Sequence, residues 1–563
     1  MDIVDRGSKC GHVDKASRIL WSDERNAMAV PAGDRVYADH VLNGWLASVG
    51  LGVEYTRAAG NTLYLTENGA EVPVLDHVCG FGSLIFGHND PEIVAFAKAC
   101  LDRQVPVFAQ LSVQSRASEI AATLNAIVRR ETGDERAYSA VFANTGAEAI
   151  EICMKHAELE RQDRIAVLAA EIGTNTEKAR AAVRAGTVTR IQAAGPADGL
   201  PKNVAEFDAL VAAIVRRNGE VTAGKPVFLA LANAFHGKLV ASVQLTQNPQ
   251  WRSPFTALAS TVRFLDPERP EAIRPAVDDL RQSLLDIELV GGVVRVVARD
   301  FPVVGAFFVE PVQGANGMRP LSEPVAREIR AACDALGCPL VVDEIHSGMG
   351  RTGAFLASSH VGLRGDYYTL AKSLGGGIAK TSVALVSQDR FRPAFEVIHS
   401  STFAKDGFSS AIAVKVLDML EADGGRAYQV AAERGQRLRA MLDAVAADFP
   451  GVVTAVNGLG LMLGMQFADQ SANDSHVIAE MARSGMLGHT LAGYVLRVHR
   501  VRLLPVGPST NSVRFEPSIH LTDDEIAQTE AALRDLCTIL RDRDGDRLVC
   551  SAPTSRRGAI GDG

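Results

Sequence analysis

The run Pro339–Gly377, PLVVDEIHSGMGRTGAFLASSHVGLRGDYYTLAKSLGGG, decides the fold. An apolar run, Leu340-Val341-Val342, stops at two acids, Asp343 and Glu344. The chain then crosses through the glycine-punctuated SGMGRTGAF, forms a second short apolar run at Tyr367-Tyr368-Thr369-Leu370 and delivers Lys372 before Ser373 and Gly375-Gly376-Gly377. Strand, crossover and strand predict a parallel pair whose carboxyl ends lie on one edge, where open α/β sheets place their ligands. Asp343 and Lys372 are therefore expected to face one crevice.

A lysine there can lose its charge by desolvation and attack a carbonyl, and a carboxylate can hold a pyridine nitrogen protonated. That combination is the working pair of pyridoxal phosphate chemistry. Singly, each residue has a plainer reading: a strand-end Asp is often a cap, and a Lys before glycines is often a surface residue. The ordered series VVDEI, GMGRTG, AKSLGGG resembles the class III, ornithine-type aminotransferases of fold type I. The resemblance implies an α/β large domain around a mostly parallel sheet, with a smaller α+β domain drawn from both chain ends. It also implies that Lys372 is the Schiff-base lysine, that Asp343 meets the pyridine nitrogen, and that Ile345 covers one ring face. One position departs from the family, which usually carries Gln where this chain has His346, beside the cofactor's phenolic oxygen.

Composition sets limits on this reading. A chain of 563 residues exceeds one hydrophobic core and predicts more than one domain. Net charge of −8 without a basic block gives no sign of a nucleic-acid partner. The eight cysteines form no CxxC pair and read as reduced thiols of a cytoplasmic protein. No signal peptide, membrane anchor or metal cluster is expected.

Residues 1–43 lack periodicity and are expected to form an arm. Residues 44–100 read as the N-terminal part of the small domain. In TLYLTENGAEVPVLD, Glu67-Asn68-Gly69 supplies the turn of a hairpin, and Asn89-Asp90-Pro91 caps a helix. His88, at a turn, reads as structural. The large domain spans 101–404. Within it a strand at Ser139–Phe142 breaks at Asn144-Thr145-Gly146 before a helix with Glu148 in its first turn, and such a helix N-terminus suits a phosphate. By resemblance, Thr145, Gly146 and Ala147 form the phosphate cup. In VFLALANAFHGKL, Phe235 would stack on the ring opposite Ile345, and Lys238 would stand where relatives often grip a carboxylate. Thr402 would reach the phosphate of a neighbouring subunit, which makes a homodimer the expected unit.

Two stretches exceed the family length. Residues 158–225 carry alanine-rich helical patterns at Arg164–Gly186 and Val204–Arg217, and about 248–300 includes the helix-like PEAIRPAVDDLRQSLLDIEL. Both are expected to be helical insertions, the first as surface packing or as a lid or platform for a partner. Residues 405–541 read as the C-terminal small domain and 542–563 as a disordered tail. Glu310, ending the strand Gly305–Val309, and Arg514, in NSVRFEPSIHLT, are expected to pair as a switch at the substrate entrance. The expected activity is transfer of an amino group between an amine or amino acid and a 2-oxo acid. Decarboxylation, racemisation, aminomutase or lyase chemistry on the same scaffold remains open, as does a cofactor-free partner protein.

Overall fold

The computed structural model describes residues 38–193, 197–506 and 509–550. Most of the expected N-terminal arm lies outside these residues, and its last part enters a helix, His40–Ser48. The expected tail is helical at Gly545–Cys550, and residues 551–563 again lie outside.

Seven strands form the central sheet: β1 Tyr138–Ala143, β2 Val227–Leu231, β3 Thr261–Leu265, β4 Val304–Val309, β5 Leu340–Asp343, β6 Tyr367–Leu370 and β7 Ser382–Ser387. Their order is β1-β7-β6-β5-β4-β2-β3. Strands β2 to β6 run parallel, and β7 is antiparallel to both neighbours. All residues of β4, β5, β6 and β7 are buried, which accounts for their unbroken apolar sequences. The carboxyl ends of the parallel strands open on one edge, and the site stands there.

The two chain ends meet in the smaller domain. Thr62–Glu67 and Ala70–Asp76 form the expected hairpin around Asn68-Gly69, both at positive φ. Val501–Arg502 adds to this ribbon in parallel with Leu75 and Asp76. Asp90 caps the helix Pro91–Asp102 by accepting from the N–H groups of Glu92 and Ile93. His88 Nε2 lies 2.9 Å from Asp76, whose carboxylate also receives Arg502 and the N–H of Val78 and Cys79. Its bonds are those of a fastening. The helix Gly407–Asp448 breaks at residues 422–425, so the two helices expected there are present as two arms. A four-stranded sheet holds Arg514 on the strand Ser509–Phe515, and Thr522 caps the final long helix in a box with Glu525.

The insertions differ from expectation. Residues 158–184 do not start a new helix; they continue the one that begins at the cofactor edge, giving a single 39-residue helix α1, Gly146–Arg184. In the second insertion, Ile273–Asp278 is a short helix, but Gln282–Val290 and Val293–Phe301 form a β-hairpin across Gly291-Gly292. Arg190–Ala193, from the first insertion, pairs in parallel with the second hairpin strand. Parts of the two insertions thus build one satellite α/β unit, while Thr261–Leu265 of the second is β3 of the central sheet. Helix α2, Phe207–Thr222, covers it through Phe207, Leu210, Val211 and Ile214, which pack on Leu285, Ile287, Val294 and Val296. Asn218 exchanges two 2.8 Å hydrogen bonds with the Leu285 backbone, satisfying an edge strand on the side that has no neighbouring strand.

Candidate active site

Asp343 is the last residue of β5. Its Oδ1 accepts from the Ile345 N–H and the Thr369 hydroxyl, both at 3.1 Å, and its Oδ2 lies 2.7 Å from His236 Nδ1. The carboxylate is therefore fixed from three sides. Burial opposes a charged His236, but Asp343 outweighs it and the imidazole pKa is raised. Lys372 follows β6 by two residues and has φ +47°, a left-handed conformation that a side-chain-bearing residue holds only when its surroundings impose it. Burial lowers its pKa to about 8, with Arg514 pushing the same way and Glu516, Asp343 and Glu310 resisting. Its amine is thus available near neutral pH.

Helix α1 starts at the same cavity. Thr145 Oγ1 accepts from the Glu148 N–H, and Glu148 Oε2 accepts from the N–H of Thr145 and Asn144. This capping box spends those donors and leaves the N–H groups of Gly146 and Ala147 at the helix start, where the dipole favours an anion.

These groups line one cavity of about 830 Å³, together with Phe235, Ile345, His346, Lys238, Glu310 and Arg514. Sequence reasoning brings these residues together, but two details differ, the partner of Arg514 and the titration of His346. Arg514 does not pair with Glu310; its Nη1 donates to Glu516 at 3.3 Å, while Glu310 accepts from the Phe235 N–H at 2.9 Å. Burial raises the Glu310 carboxyl to about 7, against the pull of His236. His346 is not a near-neutral titrating cation: burial depresses its imidazole to about 4, and its Nε2 contacts Glu516. Thr402 is exposed and stands outside this cavity, its carbonyl accepting from Gln110.

Several lining residues escaped the sequence reading, His236 and two aromatics among them. Trp251, in the second insertion, carries the Lys238 ammonium 3.6 Å from its ring centre and meets Phe235 edge-on at 5.9 Å. Phe81 lines the opposite side and lies 5.1 Å from the Arg514 guanidinium. Both are aromatics with no local pattern to mark them. The cavity fits pyridoxal phosphate: a fixed carboxylate, a deprotonatable amine and a helix N-terminus with free donors surround a space large enough for cofactor and a small substrate.

The family model described as "Aminotransferase class-III" matches residues 47–536. The chain belongs to the class III aminotransferases. It is 25% identical over 488 residues to the putrescine aminotransferase of Pectobacterium atrosepticum, covering 86% of this chain and 82% of that one. It is 29% identical over 304 residues to the acetylornithine aminotransferase of a Nostoc species, covering 54% and 62%. The ornithine aminotransferase of Toxoplasma gondii ME49 superposes with a TM-score of 0.60 at 19% identity, over 94% of this chain and 97% of that one. The N-acetylornithine aminotransferase of Stenotrophomonas maltophilia does so at 0.57 and 21% identity, over 87% and 97%. The fold is that of the fold type I enzymes. As a class III aminotransferase, this chain is an enzyme that transfers amino groups with pyridoxal 5′-phosphate.

Proposed function

We propose that this class III aminotransferase takes the amino group of a primary amine at the end of a short aliphatic chain and passes it to a 2-oxo acid, with Lys372 as its catalytic base. The observation that carries the reading is the approach of Asp343 and Lys372, from adjacent parallel strands, to one cavity that also receives the start of α1. The donor class is supported by the relatives' names: putrescine, ornithine and acetylornithine each carry such an amine.

Lys372 would hold the cofactor covalently, Asp343 would meet its ring nitrogen, and Thr145, Gly146 and Ala147 would receive its phosphate. Phe235 and Ile345 would enclose the ring, and His346 would stand at its oxygen-bearing edge. Once bound, pyridoxal phosphate supplies an aldehyde for the amine and a sink for electrons. Lys372 Nζ, unprotonated above about pH 8, would then carry the proton from the substrate's amine-bearing carbon. His236 keeps Asp343 oriented. Arg514 would hold the carboxylate of the 2-oxo acid, with Lys238 and Glu310 at the same entrance.

The working unit is a homodimer in this reading. Phe108 and Phe403 contact one another at 5.3 Å between ring centres yet are each 58% exposed, and Leu111, Val113 and Val397 beside them in sequence are exposed as well. An apolar surface of this kind calls for a cover. Thr402 sits on it and would reach the partner's phosphate cup. Six buried, unpaired cysteines among the described residues support a reducing, cytoplasmic setting. Among the described residues no helix is long and apolar enough to cross a membrane.

The test is a panel of ¹⁵N-labelled amines supplied with a 2-oxo acid, with the label followed into the product amino acid by mass spectrometry. Label should appear from terminal primary amines. Carbon dioxide release without label transfer would reject the reading.

A further inference from the structure

The helix Leu487–His499 contributes His489 to the wall of the active-site cavity. The residue stands in the first turn, which has no side-chain cap and no acidic residue, so the positive end of the helix dipole lies beside the ring. Burial keeps the imidazole neutral, with its pKa down to about 4, and the helix end works in the same sense. Trp45, from the helix His40–Ser48, meets the ring edge-on with centres 4.7 Å apart and donates its own N–H to Met486 Sδ at 3.4 Å. The indole therefore holds the imidazole in place without bonding it. Among the described residues His489 Nδ1 is sealed from solvent and has no hydrogen-bond partner. A buried N–H without an acceptor is a rarer and costlier state than a bare lone pair, which places the proton of the neutral ring on Nε2. With Nδ1 closed off, Nε2–H is the polar edge of His489 that a ligand in the cavity can meet.

We propose that His489 reads the far end of the amine donor, its Nε2–H donating to an uncharged oxygen, so that the preferred donors are primary amines whose other end is an amide or similar carbonyl rather than a second amine. This rests on the reading that the donor is a terminal primary amine, and it adds which group the other end carries. A second ammonium finds its natural places taken. The Trp251 face already carries the Lys238 ammonium at 3.6 Å, and the Phe81 face the Arg514 guanidinium at 5.1 Å. Of the acids lining the cavity, Asp343 is bonded from three sides, and Glu310 accepts from the Phe235 N–H. Lys238, Lys372 and Arg514 line the same space, and the helix end behind His489 adds positive potential. An oxygen acceptor meets none of this opposition. A wholly apolar end would instead strip water from Nε2–H and leave it unbonded, and a site built around a buried donor rejects such an analogue.

The experiment uses the holoenzyme and three donors: monoacetylputrescine, putrescine, and heptylamine, which matches the first in length without its carbonyl. Wild type should favour monoacetylputrescine over each of the others by about 10-fold or more in kcat/KM, the scale of one well-placed hydrogen bond. His489→Phe keeps a ring against Trp45 but has no N–H. It should bring the ratio of monoacetylputrescine to heptylamine to within about twofold of one, through KM rather than kcat. His489→Gln, which returns an N–H donor, should restore most of the ratio. A wild type that uses heptylamine or putrescine as well as monoacetylputrescine overturns the proposal, as does an unchanged ratio in His489→Phe. If His489→Phe does not fold, the wild-type ranking decides. Comparable turnover of all three donors removes only the role of His489, whereas failure of all three beside turnover of an α-amino acid removes the terminal-amine reading and the proposal with it.

Discussion

The edge of the central sheet and the satellite unit are built from the same materials to opposite ends. At the sheet edge, charged groups are desolvated and left with unspent capacity: Lys372 is pushed to about 8, Glu310 to about 7, and the N–H groups of Gly146 and Ala147 are open to the cavity. In the satellite, a buried carboxylate is fully spent. Asp286 is inaccessible to solvent and accepts from Asn175, Arg299 and the Ile287 N–H, at 3.0, 2.9 and 2.7 Å. Burial alone therefore does not mark function. Lys372, Glu310 and the start of α1 differ from Asp286 in keeping capacity the protein does not close, whereas Asp343 is held by three bonds as Asp286 is and differs in facing the cavity.

That contrast breaks if rim substitutions mainly cost stability or satellite substitutions mainly cost activity. The largest effect is expected at Lys372→Ala: a loss of about 1,000-fold or more in amino transfer, in the range of a removed general base. Covalent attachment should vanish with it, checked by borohydride reduction and peptide mapping, while the melting temperature of the cofactor-free protein stays level or rises. Recovery of the cofactor on another lysine would overturn the site. Asp343→Asn should lower kcat/KM by about 100-fold, the scale of one lost electrostatic contact to a reacting system, with secondary structure intact by circular dichroism.

Asp286→Ala should do the reverse. It should cost about 2 kcal/mol in urea unfolding, the scale of a lost buried bond to a charged group, with kcat/KM within about twofold of wild type. A tenfold fall in activity at unchanged stability would make the satellite part of the chemistry. The smallest effect is in pH dependence. With the Lys372 amine titrating at about 8, cofactor attachment to the cofactor-free enzyme should quicken as pH rises toward 8 and then level. A lysine at its ordinary value would go on gaining about tenfold per unit to beyond pH 10, and stopped-flow reconstitution distinguishes the two.

The legible part of the site was local. Asp343 closes an apolar strand, Thr145 to Ala147 break a strand into a helix, and Lys372 follows the next strand; each signal lies within a few residues of the group it marks. Pro270–Leu289 misled because Ile273, Val277 and Leu280 fall at helical spacing. The helix stops after Asp278, and the alternation in Val293–Phe301 together with Gly291-Gly292 was the signal that could have found the hairpin. Glu516 directly follows the strand Ser509–Phe515, but that strand reads STNSVRF and is mostly polar, so the rule that marks Asp343 does not mark it. Its contact with His346, 170 positions earlier, had no trace in the sequence, since two side chains that meet only through the fold leave no shared pattern. The Glu310–Arg514 pairing failed for the same reason: order along the chain placed both residues at the entrance but could not say which acid the guanidinium would face.

Helix α1 belongs to both regions at once. At 39 residues it runs about 58 Å, with its capped start in the cofactor cavity and its far half bearing the satellite through residues such as Ala179 and Asn175. A helix can be lengthened at its carboxyl end without altering the cap, the dipole or the open N–H groups at its start. The chain has therefore been enlarged where enlargement is silent to the chemistry, as a pier is extended seaward without moving its footing. By that logic the satellite is a transferable cargo: a related enzyme whose corresponding helix ends short could receive residues 158–225 and 282–301 together, as one hydrophobic unit, and neither stretch alone, because each leaves the other's apolar face bare.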